Sequence, residues 1–311
     1  MNRVLITAAG TTTAISVIKS LKKYSNDECY IVTTDVNDEI DIAASLFADC
    51  FYRVSYAKEN KYIYEILNIC LKHEVEFVIP IMDEEVDVLS RNKSLFESKG
   101  VYICTSDNSI VNICNDKFLC SDTLRTCKGI TPVYLNYRLL NFPMFMKPRF
   151  GVGSNDCHKV YNEEGMNNYL RDGCEFIFQE ILEGQQFVID IFNDSAGKNI
   201  YSIPRKEITS KNGIGINVQV VHDSNIEKYG KMISETLGIV GVANIEVFIK
   251  SDNIYFIEIN PRFSAGNIFT TICGINYPEL LINMYSGKSL GFFKNWQDKR
   301  ILRFWEEIVY E

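Results

Sequence analysis

Between Asn244 and Arg262 the chain reads NIEVFIKSDNIYFIEINPR, two alternating apolar runs joined by a Ser-Asp-Asn turn. Such a segment folds as a β-hairpin. Folded symmetrically about Asp252, it sets Glu246 opposite Glu258 and Asn244 opposite Asn260. Strand alternation puts these four on one face and Ile245, Val247, Ile257 and Ile259 on the other. Two carboxylates facing each other across a ladder repel, and a cation between them removes the penalty. Carboxylate and amide oxygens without His or Cys suit a hard cation, Mg²⁺ above all, which shares its shell with substrate phosphates. The other reading of the same spacing is a solvated outer sheet face carrying two ordinary glutamates.

A second segment, FPMFMKPRFGVGSNDCHKV, offers a phosphate site. Lys147 ends an apolar strand, and the loop Gly151-Val152-Gly153-Ser154 follows. Glycines let backbone N–H groups close over phosphate oxygens, and a strand lysine can bridge phosphates as a point charge. A Gly-rich hairpin turn beside a surface lysine accounts for the same letters. Lys117, after Asp116 at a helix start, gains meaning only from such company. In FQEILEGQQFVIDIF, Ile181 and Leu182 can offer main-chain groups and aliphatic walls to an adenine, or form a plain strand connection.

The N-terminal segment TAAGTTTAIS has a strand–turn–helix rhythm with Asp35 at the end of the next strand. It holds one glycine, Gly10, not the three of a dinucleotide fingerprint. Thr11 to Thr13 suit a helix cap or a small-anion contact.

These residues must be positioned by two textures of chain. The first third alternates strand and helix, which implies an open parallel sheet with ligands beyond the strands' carboxyl ends. From Ser109 onward, antiparallel strands alternate with helices, an α+β pattern. The expected organisation is an α/β domain over 1–108 and an α+β domain over 109–288 with a small lobe at about 120–185. A tail, 289–311, should pack on the body as a helix or strand.

Composition narrows the function. The 311 residues are 46% hydrophobic and 12% aromatic, enough for a substantial core. A net charge of −8 with pI near 5.1, and no basic cluster, argue against nucleic acid. No apolar run approaches a membrane span, and MNRVLITAAG enters a strand directly, unlike a signal peptide, so a cytoplasmic protein without membrane contact is expected. Ten scattered cysteines without a CxxC pair read as reduced, and three separated histidines do not make a zinc site.

Taken in order, DK at 116–117, MKPRFGVGS at 146–154, QEILEG at 179–184, IEVF at 245–248 and IEINPRFSAG at 257–266 resemble the ATP-grasp ligases. The likeness is strongest to the carbamoyl phosphate synthase large-subunit branch, which includes stand-alone carboxylate–amine ligases. DIAASLFADCFYRV and VIPIMDEEVDVLS resemble that branch's pre-ATP-grasp domain. The resemblance implies a Rossmann-like parallel sheet followed by a two-lobed ATP-grasp fold. It implies ATP phosphate contacts from Lys117, Lys147 and the Gly151, Gly153 and Ser154 loop, and adenine contacts from Gln179, Glu180 and Leu182. Gln186 would meet the ribose where the family often has glutamate. Glu246, Glu258 and Asn260 would hold Mg²⁺, with Mn²⁺ a substitute, and Arg262 would steady the transferring phosphoryl group. Lys206, with Arg205, is a further candidate facing the γ-phosphate or the substrate carboxylate. Asp83 and Glu84 suit a substrate ammonium, and Thr11 a carboxylate. The expected activity joins a small-molecule carboxylate, from an amino acid or sugar acid, to an amine through an acyl-phosphate, releasing ADP. A homodimer fits the parent branch. The competing classes are a non-catalytic nucleotide-binding module and an oxidoreductase using the N-terminal sheet.

Overall fold

The structure is a computed structural model, and it describes residues 1–151, 156–170, 173–291 and 295–309. Five strands open the chain: β1 (Asn2–Ile6), β2 (Cys29–Asp35), β3 (Cys50–Arg53), β4 (Phe77–Ile79) and β5 (Tyr102–Ile103). All pair in parallel, in the order β3-β2-β1-β4-β5. The apolar runs VLI and FVI explain why the central strands are buried on both faces. The helix Thr12–Tyr24 starts where Thr11 Oγ1 accepts from the Ala14 N–H at 3.1 Å.

A three-stranded antiparallel sheet, ordered β7-β6-β8, forms the small lobe from β6 (Met144–Pro148), β7 (His158–Val160) and β8 (Phe176–Gln179). Met144, Met146, Met166, Phe176 and Phe178 give it a core of its own.

The largest sheet uses β9 (Gln185–Asn193), β10 (Asn199–Lys211), β11 (Ile214–Val220), β12 (Gly241–Lys250), β13 (Asn253–Asn260) and β14 (Lys299–Leu302). Their order is β13-β12-β9-β10-β11-β14, antiparallel throughout. The tail therefore contributes an edge strand. One sheet face packs Ile189, Ile191, Ile245 and Val247 against the helix Ser224–Leu237. The other face shares a continuous core with the N-terminal sheet, in which Phe192, Ile203 and Val242 join Val4, Ile6 and Ile79. That shared core fixes the N-terminal unit over the face that carries Glu246.

The run 110–127 is not one helix but Asn108–Asn115 and Lys117–Thr123, because Asp116 leaves helical geometry (φ −96, ψ 101) and caps the second piece. A short helix, Glu163–Asn167, lies between β7 and β8.

Candidate active site

The hairpin register sets Glu246 opposite Glu258 and Asn244 opposite Asn260. It reaches that register differently from a symmetric fold. The turn has two residues, Ser251 and Asp252, both at positive φ (49 and 63), as a tight type I′ hairpin requires. A register shift between Glu246 and Val247 leaves Ile257 as an extra residue of β13. Such a bulge puts two successive residues on one side. Ile257 accordingly leaves the core of Ile245, Val247 and Ile259 and lines a narrow crevice with Glu258, Lys147 and Gln179. The expectation that Ile257 lies on the buried face is corrected by that bulge.

The carboxyls are held and charged in a telling way. Burial, then the neighbouring Glu258, pushes the Glu246 carboxyl up to about 7. Gln186 Nε2 donates to Glu246 Oε2 at 3.1 Å, so the amide expected at the ribose is engaged with this carboxylate. Asn260 Nδ2 donates to Asn244 Oδ1 at 3.1 Å, and Asn244 Nδ2 to the Arg262 carbonyl at 3.0 Å. Asn260 thereby keeps its own carbonyl oxygen beside the carboxylates. Two mutually repelling carboxyls plus one amide oxygen fit a magnesium ion. No cluster of three or more His, Cys, Asp or Glu suited to a metal occurs among the described residues. The protein set thus leaves coordination positions for water and phosphate oxygens.

Lys147 is 4% exposed. Burial lowers its pKa, opposed by the Glu258 carboxylate, and its Nζ donates to the Ile257 carbonyl at 3.2 Å. Lys117 Nζ donates to the Gly151 carbonyl at 2.7 Å, at the start of the glycine loop. Gly153 and Ser154 lie outside the described residues. Glu180 is exposed and Leu182 half-buried on the connection from β8 to β9, while Gln179 is buried beside Lys147.

A brace missed in the sequence reading links these cations. Asp116 accepts from the Phe118 and Leu119 N–H groups at 3.0 and 3.1 Å and from Arg149 Nε and Nη2 at 2.9 and 2.6 Å. Burial alone would raise its pKa; Arg149 and the helix N–H groups outweigh that and hold it below the usual range. Lys117 and Lys147 each adjoin or nearly adjoin this pair in sequence. The signal was an Asp directly before a helix start.

Between the N-terminal unit and the hairpin lies a cleft of about 570 Å³. Asp83, Glu84 and Arg91 line one wall, and Lys117, Glu258 and Asn260 the other. The two weak sequence candidates Asp83 and Glu84 thus meet the phosphate and metal candidates. Asp83 is engaged, however: its oxygens accept from Arg262 Nε and Nη2 at 2.9 and 2.8 Å. Glu84 is exposed at the cleft mouth.

Three expectations are corrected by geometry. Lys206 pairs across the ladder with Phe187, which also faces Val247, so it stands on the helix-covered face, away from Glu246. Arg205 shares the Glu246 face but is 4% exposed and paired with Asp190 and Glu207. Burial opposes its charge, yet those carboxylates outweigh it and raise its pKa. Thr11 spends its hydroxyl on the helix cap and on the Ala8 carbonyl, and it is absent from the cleft lining. Asp35 accepts from the Gly10 N–H at 2.8 Å and from Asn37.

Comparison with known proteins agrees with this geometry. Residues 4–104 match the family described as PylC-like, N-terminal domain, and residues 173–304 the family described as ATP-grasp in the biosynthetic pathway with Ter operon. Residues 173–304 are thus similar to an ATP-grasp domain and residues 4–104 to the N-terminal domain that accompanies one in PylC-like proteins. The ATP-grasp architecture is matched by the biotin carboxylase domain dimer of Hydrogenobacter thermophilus 2-oxoglutarate carboxylase, a complex with MgADP, ADP and bicarbonate. The TM-score is 0.74 at 17% identity, over 92% of this chain and 70% of that one. Among relatives, the carbamoyl phosphate synthase large chain of Clostridium acetobutylicum is 22% identical over 75% of this chain but only 24% of its own length. The chain thus spans about a quarter of that relative. Tyramine–L-glutamate ligase of Methanocaldococcus fervens is 27% identical over 82% of this chain and 84% of its own. No helix among the described residues is long and apolar enough to cross a membrane.

Proposed function

We propose that this protein is an ADP-forming ligase of the ATP-grasp kind that joins a carboxylate to an amine. The observation that carries the reading is the opposition of Glu246 and Glu258 beside Asn260, with buried Lys147 of β6 bonded to the bulge of the Glu258 strand. A carboxylate is a poor electrophile, and transfer of the γ-phosphoryl of ATP makes it an acyl-phosphate that an amine displaces. Such transfer needs positioning and charge neutralisation more than a covalent nucleophile. Lys147 and Lys117 hold phosphate oxygens, Glu180 and Leu182 present main-chain groups to adenine, and Arg262 addresses the transferring group. Glu246, Glu258 and Asn260 would hold Mg²⁺, which would supply charge neutralisation for the transfer; Mn²⁺ would suit the same oxygens. The 570 Å³ cleft takes the acid and amine, with Glu84 the carboxylate open to an ammonium. The similarity to a tyramine–L-glutamate ligase over most of both chains supports an amino acid and a small amine as substrates. The division at 108, the tail from 289, a homodimer and a cytoplasmic location belong to the same reading.

The test is trapping. With ATP, Mg²⁺ and a panel of amino acids and sugar acids, hydroxylamine should give a hydroxamate and ADP without the natural amine. AMP and pyrophosphate would refute the reading, and no turnover across the panel would favour a non-catalytic nucleotide-binding module.

A further inference from the structure

Arg262 is gripped from the other side of the cleft. Its Nε and Nη2 donate to the two oxygens of Asp83 at 2.9 and 2.8 Å, a bidentate fork. Its Nη1 donates to the Phe263 carbonyl at 3.2 Å. A guanidinium has five N–H donors, so two remain to address a ligand. Both side chains are largely buried, with 18% and 15% exposure, so the pair is sheltered from salt and from competing water.

Asp83 itself stands on a rigid seat. It is the first residue of the helix Asp83–Arg91, where a helix start favours an anion. Two residues on, buried Glu85 accepts from the Met82 N–H at 3.1 Å, from Thr7 Oγ1 and from Tyr62 Oη at 3.2 Å. Thr7 Oγ1 accepts in turn from the Ile81 N–H at 3.1 Å. These bonds lock the exit of β4 to the end of β1. The Arg262 backbone is fixed from the opposite side, through its carbonyl to Asn244 and from Asn244 to Asn260.

We propose that Asp83 is the positioning residue for Arg262, through which the N-terminal unit takes part in phosphoryl transfer. The inference rests on the reading of Arg262 as the group that meets the transferring phosphoryl. Asp83 touches neither nucleotide nor metal. It fixes the plane of the guanidinium, so that the two spare N–H groups wait at one place rather than searching rotamers. An ammonium would then find Glu84 rather than Asp83.

The experiment compares MgADP with MgADP plus fluoroaluminate, a mimic of the transferring phosphoryl group, by calorimetry on the full chain. Asp83→Asn keeps size and loses the charge. It should hold MgADP within about twofold of the parent and bind the fluoroaluminate complex about tenfold or more weakly. Asp83→Glu, which keeps a carboxylate, should recover part of the loss. A merely structural tie would lower the melting midpoint and leave the ratio of the two affinities unchanged. An unchanged ratio in Asp83→Asn overturns the proposal. An unchanged ratio in Arg262→Ala overturns the role of Arg262 as well. Both outcomes are readable whether or not an acid substrate is found, so failure of the ligase assignment is seen separately, in the trapping assay.

Discussion

Lys147 Nζ donates to the carbonyl of Ile257, the residue by which β13 exceeds β12. The bulge does two things at once. It turns Ile257 and Glu258 to the same side of the sheet, and it supplies in this edge strand the carbonyl that anchors a buried ammonium. A regular ladder would set Ile257 and Glu258 on opposite faces. Lysine, carboxylate and apolar crevice are thus held by one irregularity in an otherwise regular hairpin.

The first prediction concerns the opposed carboxylates. Glu258→Gln should fold normally and lose turnover by on the order of 10²-fold or more, because one metal oxygen of the pair becomes a neutral amide at equal size. ADP release near the parent rate at saturating Mg²⁺ would remove Glu258 from the metal site.

Lys147 gives a second. Lys147→Ala should weaken ATP binding, and added salt should not reproduce that loss in the parent protein, since the ammonium is enclosed. The check is calorimetric titration at low and high ionic strength. Unchanged affinity would leave the buried lysine a purely internal partner of Ile257.

The pH response of Glu246 follows from its raised pKa. Below the ordinary carboxyl value of 4.5 the group is protonated in folded and unfolded chains alike. As pH climbs toward 7, the unfolded chain releases its proton first and the ligand-free fold keeps it. The folded state then binds more protons, so stability present below 4.5 is lost as pH rises through about 7. Metal competes with that proton, so MgATP should bind more tightly above neutrality and release a proton on binding below it. Melting of the parent and of Glu246→Gln at pH 5 and pH 8 isolates the effect. Their difference should shift against the parent at pH 8 without ligand; a pH-independent difference would show an ordinary exposed carboxylate.

How much of this was readable follows from what each feature depends on. The Glu246–Glu258 opposition was legible because strand alternation and a short turn are local properties. The parallel N-terminal sheet was legible for the same reason, through its βαβ rhythm. Ile257 was misplaced because a bulge preserves the outer register while breaking alternation, and no letter marks it. Lys206 and Arg205 are adjacent cations, and sequence could not say which side of β10 each takes; pairing with Phe187 and Val188 decides it. The Asp83–Arg262 fork joins residues 179 positions apart. Only the shared core of the two sheets brings them together.

The last prediction tests the bulge itself. Removing Ile257 pairs Phe256 with Val247 and Glu258 with Glu246 in an unbroken ladder, so the carboxylates stay opposed. The buried Lys147 loses the carbonyl that receives it, and the crevice loses an apolar wall. Deletion should therefore leave a folded protein that still binds Mg²⁺ in the presence of inorganic pyrophosphate. Its affinity for ATP should fall by about tenfold, the scale of one lost apolar contact of about 1–2 kcal/mol. Circular dichroism and titration with ATP and with pyrophosphate separate the outcomes. Equal loss for both ligands would place the effect at the phosphate contact of Lys147 or at the metal rather than in the crevice, and unchanged ATP affinity would show that the extra residue serves only the fold.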